Sequence, residues 1–418
     1  MKQYSLLETK AGKLTFGIFL FAMLLLARDT LITSCVLGFT KSQFLMLGLI
    51  ALFGLGFLIR NRAEILNILK DRRMLLVAAS AVILLVPMVL KRDWQMMYFS
   101  VLICLFFAVF LSYFTNCRET AVWYLISLTV LCLHSLITMY LLKPMAVAGS
   151  IHVPVFQNSA GAEFFDFGLS FVVTDPFWRR NFGVFREPGV YQFFILLGLY
   201  LNNYEADWKH AWILWTVNII LAVTMLSTFA VGGFIEMGLL AVFVYFDKKW
   251  YRTRSGKWLG LGAVAAAAAA IAGLVWIFRG QSFGDTIFYE IYDMLLRLTT
   301  KSNSLVDRLS AIFDNLALFL RSPLVGDSVA NVLHGTAHNT SSTLILFAMF
   351  GVAGGLLNVA AWIALAWKRE RCLLGNLVLL LILFMSFNTQ NLVADIFFWL
   401  FPYMALTERG LPLLKKKK

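Results

Sequence analysis

The sequence predicts an all-α polytopic membrane protein with about twelve transmembrane helices and two long external loops that contain amphipathic helix. Three observations lead to this fold class. The 418 residues are 60% hydrophobic and only 14% charged, and the mean hydropathy of +0.78 is well outside the range of soluble domains. Long apolar runs recur along the whole chain. Basic residues concentrate in alternate segments between these runs. We therefore treat residues 1–418 as a single transmembrane domain.

Each predicted span is an apolar run close to the roughly 17 to 25 residues that cross a bilayer as a helix. The first run follows Lys10 and Lys13, but Arg28 and Asp29 occupy the place of a signal-peptide cleavage site, so we interpret it as a short first span. The twelve predicted spans are residues 14–27, 43–59, 74–90, 96–114, 121–142, 188–203, 209–227, 230–246, 257–278, 340–367, 372–387 and 391–408.

The placement of basic residues sets the orientation. The net charge is +13, and most of the 36 Lys and Arg residues fall in segments that are cytoplasmic if the N-terminus is inside. The charge therefore indicates topology and contact with lipid headgroups, and it does not predict nucleic-acid binding. Both termini are expected in the cytoplasm, which places the two long loops, residues 143–187 and 279–339, on the outer side.

The sequence predicts no metal and no other cofactor. The five cysteines lie in or beside apolar runs, without a C-x-x-C motif and without pairing in the long loops, so neither disulfides nor zinc are expected. No D-x-D motif occurs either, which favours chemistry without a bound cation.

The central motif is the turn at residues 183–189, which contains Arg186, Glu187 and Pro188 and opens directly into an apolar run. Pro188 suits the first helical position because its missing N–H needs no partner there. Arg186 and Glu187 would then lie at a helix N-terminus, where an anion such as phosphate is stabilised. Alternatively, the two side chains simply pair with each other at the membrane interface.

The long loops carry the remaining candidate residues. In the first loop, aromatic and charged residues occur together at 164–167 and 177–180, which favours an interfacial segment over the wall of a sugar-binding cleft. In the second loop, apolar residues at helical spacing from Leu305 to Leu320 predict an amphipathic helix flanked by Arg308 and Arg321. This loop ends with His338 and Asn339, just before the tenth span.

These residues fall on one side of the membrane in the predicted topology. A lone interfacial Arg is more often a membrane anchor, and His338 alone could cap a helix. Together, however, arginines suit a diphosphate because the guanidinium donates two hydrogen bonds and keeps its charge, and His338 or Glu187 could accept a proton. The substrate-binding candidates are Arg186, Arg308, Arg321 and Arg180, and the catalytic candidates are His338 and Glu187.

The chain resembles the bacterial Wzy-type O-antigen and capsule polymerases and their relatives, the O-antigen ligases. The resemblance covers the predicted layout and three local motifs, G-x-F-R-E-P-G at 183–189, D-R-L at 307–309 followed by S-P-L-V-G at 322–326, and A-H-N at 337–339. It implies a multi-pass protein of the bacterial inner membrane that polymerises lipid-linked oligosaccharide repeat units at the periplasmic face. The implied donor is an undecaprenyl-diphosphate-linked glycan, and a chain-length-regulating co-polymerase is an implied partner.

Two other functions stay open from the sequence. A ligase would transfer the glycan to a lipid A core. A lipid-linked sugar transporter would share the twelve-span layout, but its two halves usually match, whereas the enlarged loops here follow the fifth and ninth predicted spans. A non-catalytic scaffold would not need charges at the span ends.

Overall fold

The computed structural model describes residues 9–60, 71–158, 161–254, 256–258, 260–262, 303–335 and 340–410. The chain is mostly helical, as the sequence predicts. The principal helices are α1 (Lys10–Leu25), α2 (Phe39–Arg60), α3 (Arg72–Leu90), α4 (Met96–Leu111), α5 (Cys117–Ile137), α6 (Pro188–Tyr204), α7 (Ala211–Ser227), α8 (Val231–Asp247), α9 (Asn303–Arg321), α10 (Val329–Gly335), α11 (Ser342–Ala366), α12 (Leu373–Asn388) and α13 (Ile396–Arg409).

Apart from α9 and α10, which lie in the second long loop, these helices overlap the predicted spans. Arg73–Leu90, Cys117–Val147 and Ser342–Ala366 are long and apolar enough to cross a membrane, and Lys41–Gly56, Met96–Leu111, Ala211–Ser227 and Leu373–Asn388 form shorter apolar helices. Most of the ninth predicted span lies outside the described residues. A membrane protein is therefore supported, and the count of twelve spans stays a prediction.

The fifth predicted span continues past its expected end. After α5, a π-helical turn at Thr138–Leu142 leads into a short helix at Lys143–Val147. The first long loop consequently begins after Val147.

The first long loop also contains a small antiparallel sheet that the sequence analysis did not predict. Its strands are β1 (Val155–Gln157), β2 (Glu163–Asp166) and β3 (Phe171–Val173), in the order β1-β2-β3. Phe164 is buried, stacks on Phe156 at 5.4 Å between ring centroids and meets Phe182 edge-on at 5.7 Å. This aromatic residue therefore packs in the core of the loop and does not lie in an interfacial belt, whereas Phe177 and Trp178 are exposed.

Helices α11 and α13 lie at the centre of the helical body and pack against each other, and α4 packs on α13. Trp362 on α11 stacks on Phe387 at 4.6 Å between centroids, and Tyr124 on α5 contacts Phe397 at 5.2 Å. All four side chains are fully buried. Aromatic groups of this size dominate the packing energy of a core. They therefore fix the helices relative to one another, and with them the ends of the loops that join these helices.

The S-P-L-V-G motif has a structural role at a break in α11. Gly351 has φ +66° and ψ −168° inside α11, and Gly326 has φ +85°. Backbone hydrogen bonds join the two segments, from Val352 N to Pro323 O and from Asp327 N to Ala348 O, both at 2.7 Å. A Cβ at either glycine would collide with the backbone of the other segment. The motif therefore holds the corner between α9 and α10 against the break in α11.

The loops gather at two ends of the helical body. We call one the loop-rich end, formed by residues 26–38, 91–95, 148–187 where described, 228–230, 322–335 and 389–395, because hydrogen bonds and side-chain packing tie these segments together. We call the other the basic end, formed by residues 112–116, 205–210, 248–254 and 367–372. At this end, Arg371 Nε donates to Asp247 Oδ1 at 2.9 Å, and Arg73, at the start of α3, donates from Nη1 to Ser112 O at 2.7 Å.

Candidate functional site

The turn at residues 183–187 is held in place by hydrogen bonds of the buried Asn181 side chain. Asn181 is buried and donates from Nδ2 to Ser135 Oγ at 3.1 Å and to Ser227 Oγ at 3.0 Å, while its Oδ1 accepts from Gly183 N at 2.9 Å. Gly183 has φ +57°, and a Cβ there would lie 2.9 Å from the ring of Tyr191. Only glycine combines this conformation with so close an approach. The chain from here to Arg186 therefore has a fixed path.

The turn pairs with the segment that follows α1. Leu31 N donates to Val184 O at 2.7 Å, and Arg186 N donates to Asp29 O at 2.9 Å, so Thr30 and Phe185 form an isolated antiparallel bridge. Phe185 is fully buried between these segments. This short pairing brings the side chain of Asp29 next to that of Arg186.

Arg186 forms two ion pairs. Its Nε lies 3.0 Å from Asp29 Oδ1 and its Nη2 lies 3.3 Å from Glu187 Oε1. The side chain of Arg186 is 42% exposed, whereas that of Asp29 is 6% exposed. The pairing of Arg186 with Glu187 agrees with the simpler interpretation of the motif, but Asp29 is an additional, buried partner. Within the described part of the chain, Nη1 of Arg186 has no hydrogen-bond or ion-pair partner.

Asp29 is the buried carboxyl of the site. Burial raises its pKa above the ordinary aspartate value, and the charges of Arg186 and Arg28 oppose this rise. Its Oδ2 is buried and has no hydrogen-bond partner among the described residues. A buried carboxylate needs compensating charge. The charges of Arg186 and Arg28 therefore stabilise the ionised form of Asp29.

Arg28 provides a second guanidinium close to Asp29 and Arg186. Its Nη1 contacts Met97 Sδ at 3.2 Å, and the charges of Asp29 and Arg186 both act on it. Met97 precedes Tyr98, whose hydroxyl accepts from Val329 N at 3.3 Å, at the start of α10. Asp93 Oδ2 accepts from Ala330 N at 3.0 Å. These contacts link the Arg28 segment to the second long loop.

Helix α6 begins at Pro188 with Glu187 in the N-cap position, as the sequence predicts. Glu187 is 46% exposed, and its side chain makes no capping hydrogen bond. Gly189 in the first turn packs directly on Gln390, and any side chain at 189 would collide with it. The carboxylate of Glu187 therefore contacts Arg186 and is also accessible to solvent.

Hydrogen bonds fix the start of α11 to the segment that contains Gln390. Ser342 Oγ donates to Gln390 O at 2.7 Å, and Thr343 N donates to Asn388 Oδ1 at 2.9 Å. His338 lies outside the described residues. Because Ser342 and Gly189 both contact Gln390, the chain following His338 is anchored close to the start of α6.

The other predicted site residues lie elsewhere or are not described. Arg180 donates from Nε to Thr228 O at 3.4 Å, at the turn between α7 and α8. Arg321 ends α9 and lines a separate cavity of about 470 Å³ with Asp314, Asp327, Asn331 and His334. The side chain of Arg308 lies outside the described residues. The structure therefore joins Arg186 to Glu187 and places Arg180 and Arg321 at other positions of the loop-rich end.

Asp29 and Arg28 were missed as site residues. In the sequence, this charged pair indicates only that the first span is not a signal peptide. Its position directly after an apolar span was the available signal, because ionisable groups at such depth usually have partners. The partner itself could not be identified, since nothing local in the sequence joins residue 29 to residue 186.

Among the described residues, no group of three or more His, Cys, Asp or Glu side chains is arranged to hold a metal ion. The expectation of a metal-free site stays a prediction.

Comparison with protein-family models, curated proteins and solved structures finds no match to this chain. The functional interpretation therefore depends on the site residues and on the resemblance drawn from the sequence motifs.

Proposed function

We propose that the chain is a glycosyltransferase that polymerises lipid-linked oligosaccharide repeat units, with Arg186 at the centre of its donor site. The proposal rests on Arg186, whose Nε is paired with Asp29, whose side chain is 42% exposed, and whose Nη1 has no hydrogen-bond or ion-pair partner among the described residues. A guanidinium fixed in this way is suited to bind a phosphate oxygen at no further cost in side-chain order. The proposed donor is an undecaprenyl-diphosphate-linked glycan.

Arg186 and Arg28 supply the electrostatic part of the reaction. When the acceptor hydroxyl attacks the anomeric carbon, the bond from that carbon to the diphosphate oxygen breaks and negative charge develops on the leaving group. Positive groups that are already oriented stabilise this charge without reorganising. Asp29 holds the Arg186 guanidinium by an ion pair, and its charge also acts on Arg28. Direct displacement inverts the anomeric carbon.

The proton of the acceptor hydroxyl needs a base close to the donor. Glu187 meets this requirement, because its half-exposed carboxylate lies 3.3 Å from Arg186 Nη2 and makes no capping hydrogen bond. His338 is the second candidate, since the helix that follows it is anchored through Gln390 to the start of α6. A positioned base contributes about 10² to 10⁴ in rate.

The proposed setting is the bacterial inner membrane, with both termini in the cytoplasm and the loop-rich end in the periplasm. Basic residues at the opposite end favour this orientation. The lipid tail of the donor would stay in the bilayer while its diphosphate reaches the ends of the helices, where Arg186 lies. A chain-length-regulating co-polymerase is a proposed partner.

A reaction with one substrate tests the proposal. Purified protein is incubated with a single lipid-linked repeat unit, and the products are separated by size on a gel. A ladder of regularly spaced products is expected. If products form only when a lipid A core is added, the chain is a ligase. If the lipid crosses a liposome membrane without any new glycosidic bond, the chain is a transporter and the proposal is wrong.

A further inference from the structure

Three cationic side chains surround one aromatic ring at the basic end. The ammonium of Lys368 lies 4.9 Å from the ring centroid of Tyr204, the guanidinium carbon of Arg371 lies 5.1 Å away, and the ammonium of Lys248 lies 5.5 Å away. Lys248 follows the end of α8, and Lys368 and Arg371 lie in the connection between α11 and α12. Like charges this close repel each other unless an anion lies between or beside them.

One of the three cations is already neutralised. Arg371 donates from Nε and Nη2 to the two carboxylate oxygens of Asp247, each at 2.9 Å. Lys248 and Lys368, by contrast, form no ion pair and no side-chain hydrogen bond with any described residue. Partial burial lowers the pKa of both lysines, and the charge of Lys368 lowers the pKa of Lys248 further.

A cavity of about 340 Å³ adjoins the cluster and adds further positive charge. Lys368 and Tyr204 line it together with Arg118, Arg409 and two carboxylates, Glu205 and Glu408. Glu205 is already paired with Arg409, whose Nη1 lies 3.0 Å from Oε1. The cations around Tyr204 and this cavity therefore outnumber the carboxylates, so the place favours an anion.

An apolar groove of about 590 Å³ begins beside the same residues. Asn203, which precedes Tyr204, and Val244, one helical turn before Lys248, line it together with Leu199, Trp215, Leu240 and Tyr245. The groove lies between α6, α7 and α8. A positively charged cluster at one end of an apolar groove complements an anionic head joined to a hydrocarbon tail.

We propose that an anionic phospholipid binds here, with its phosphate between Lys248 and Lys368 and an acyl chain in the groove between α6, α7 and α8. Clusters of basic residues at the ends of transmembrane helices attract anionic lipids, and each lysine near the headgroups adds to the attraction. Tyr204 supports the lysines by cation–π contact and holds them at the mouth of the groove. This site is at the opposite end of the molecule from Arg186 and does not depend on the proposed function.

Lipid retention by the purified full-length protein tests the proposal. The protein is reconstituted in nanodiscs of phosphatidylethanolamine containing a small fraction of phosphatidylglycerol, extracted into mild detergent and examined by native mass spectrometry. We expect phosphatidylglycerol to be enriched on the protein. The double variant Lys248→Gln/Lys368→Gln should reduce this enrichment by roughly ten- to thirtyfold, and Lys248→Arg/Lys368→Arg should restore it.

Lys209→Gln is the matched control, because Lys209 is exposed at the same end and does not contact Tyr204. It removes one positive charge and should leave enrichment unchanged. Enrichment that persists in the double Gln variant would overturn the proposal, as would an equal loss in Lys209→Gln. If inorganic phosphate at millimolar concentration displaces phosphatidylglycerol completely, the cluster binds a phosphate group and not a lipid. Melting temperatures of all variants show whether each has folded.

Discussion

Asp29 Oδ1 lies 3.0 Å from Nε of Arg186, and this partly buried ion pair joins the loop after the first helix to the start of α6. Arg186 is accordingly more than an interfacial anchor paired with its neighbour. Its backbone N–H also donates to Asp29 O, so both the main chain and the side chain of Arg186 are positioned by one residue. The proposed donor site depends on this relationship.

Asp29→Asn tests whether the pair positions Arg186. The amide keeps the shape of the side chain but loses the charge, and a hydrogen bond to a charged group contributes about 1.5 to 3 kcal/mol. We expect glycan transfer to fall roughly 10- to 100-fold. The measurement is the initial rate of product formation, with melting temperature as the check of folding. Asp175→Asn, an exposed change at the same end, should have no effect.

The pH profile gives a second measurement on the same variant. Because burial raises the pKa of Asp29, its carboxyl takes up a proton at a higher pH than an ordinary aspartate does. The ion pair with Arg186 therefore exists above that raised pKa and is lost as the pH falls through it. Transfer by the unmodified protein should decline there, and Asp29→Asn should lack this decline. An identical acid limb in both proteins would contradict the assignment.

Gly351→Ala tests the break in α11. The backbone there has φ +66° and ψ −168°, which only glycine adopts readily, and a Cβ would collide with the carbonyl of Leu324. We expect a loss of about 1 to 3 kcal/mol from the backbone conformation alone, measured as a lower melting temperature in detergent. Gly238→Ala is the control, because a Cβ at this helical glycine meets nothing within 4 Å. Equal effects of the two changes would be contrary to this account.

Glu187→Gln and His338→Ala separate the two candidate bases. The residue that accepts the proton should lose about 10² to 10⁴ in turnover when it is replaced, while donor affinity stays nearly the same. If Glu187 only orients Arg186, then Glu187→Gln should weaken donor binding together with turnover. Donor affinity and turnover are measured for both variants. Near-normal turnover in His338→Ala would remove that residue from the mechanism.

Local patterns in the sequence were sufficient to predict much of this fold. The start of α6 at Pro188 and the amphipathic helix α9 both follow from residue spacing and helix-start chemistry, which act within one or two turns. The pairing of Gly326 with Gly351 could not be predicted, because it depends on two backbone segments that meet only in the folded chain. The same reason explains the missed contact of Asp29 with Arg186.

The orientation of the two ends is tested by cysteine labelling. Cys372 is exposed at the basic end, so an impermeant thiol reagent should label it only after the cells are permeabilised. Ser150→Cys, placed at the loop-rich end in a Cys35→Ser/Cys372→Ser background, should react in intact spheroplasts, because Cys35 is itself partly exposed at that end. The reverse pattern would show that the site faces the cytoplasm and would exclude a periplasmic reaction.

Product ladders from Arg186 variants test whether this guanidinium binds the diphosphate of the donor. The protein, Arg186→Lys and Arg186→Ala are each incubated with one lipid-linked repeat unit, and donor affinity is measured in parallel. Lysine keeps the charge but cannot reproduce the planar guanidinium, which contacts Asp29 and a phosphate oxygen together. We predict a ladder from the unmodified protein and strong impairment of both variants. A full ladder from Arg186→Lys at normal protein level would contradict the proposed role of Arg186, and the absence of any ladder from the unmodified protein would contradict the proposed function.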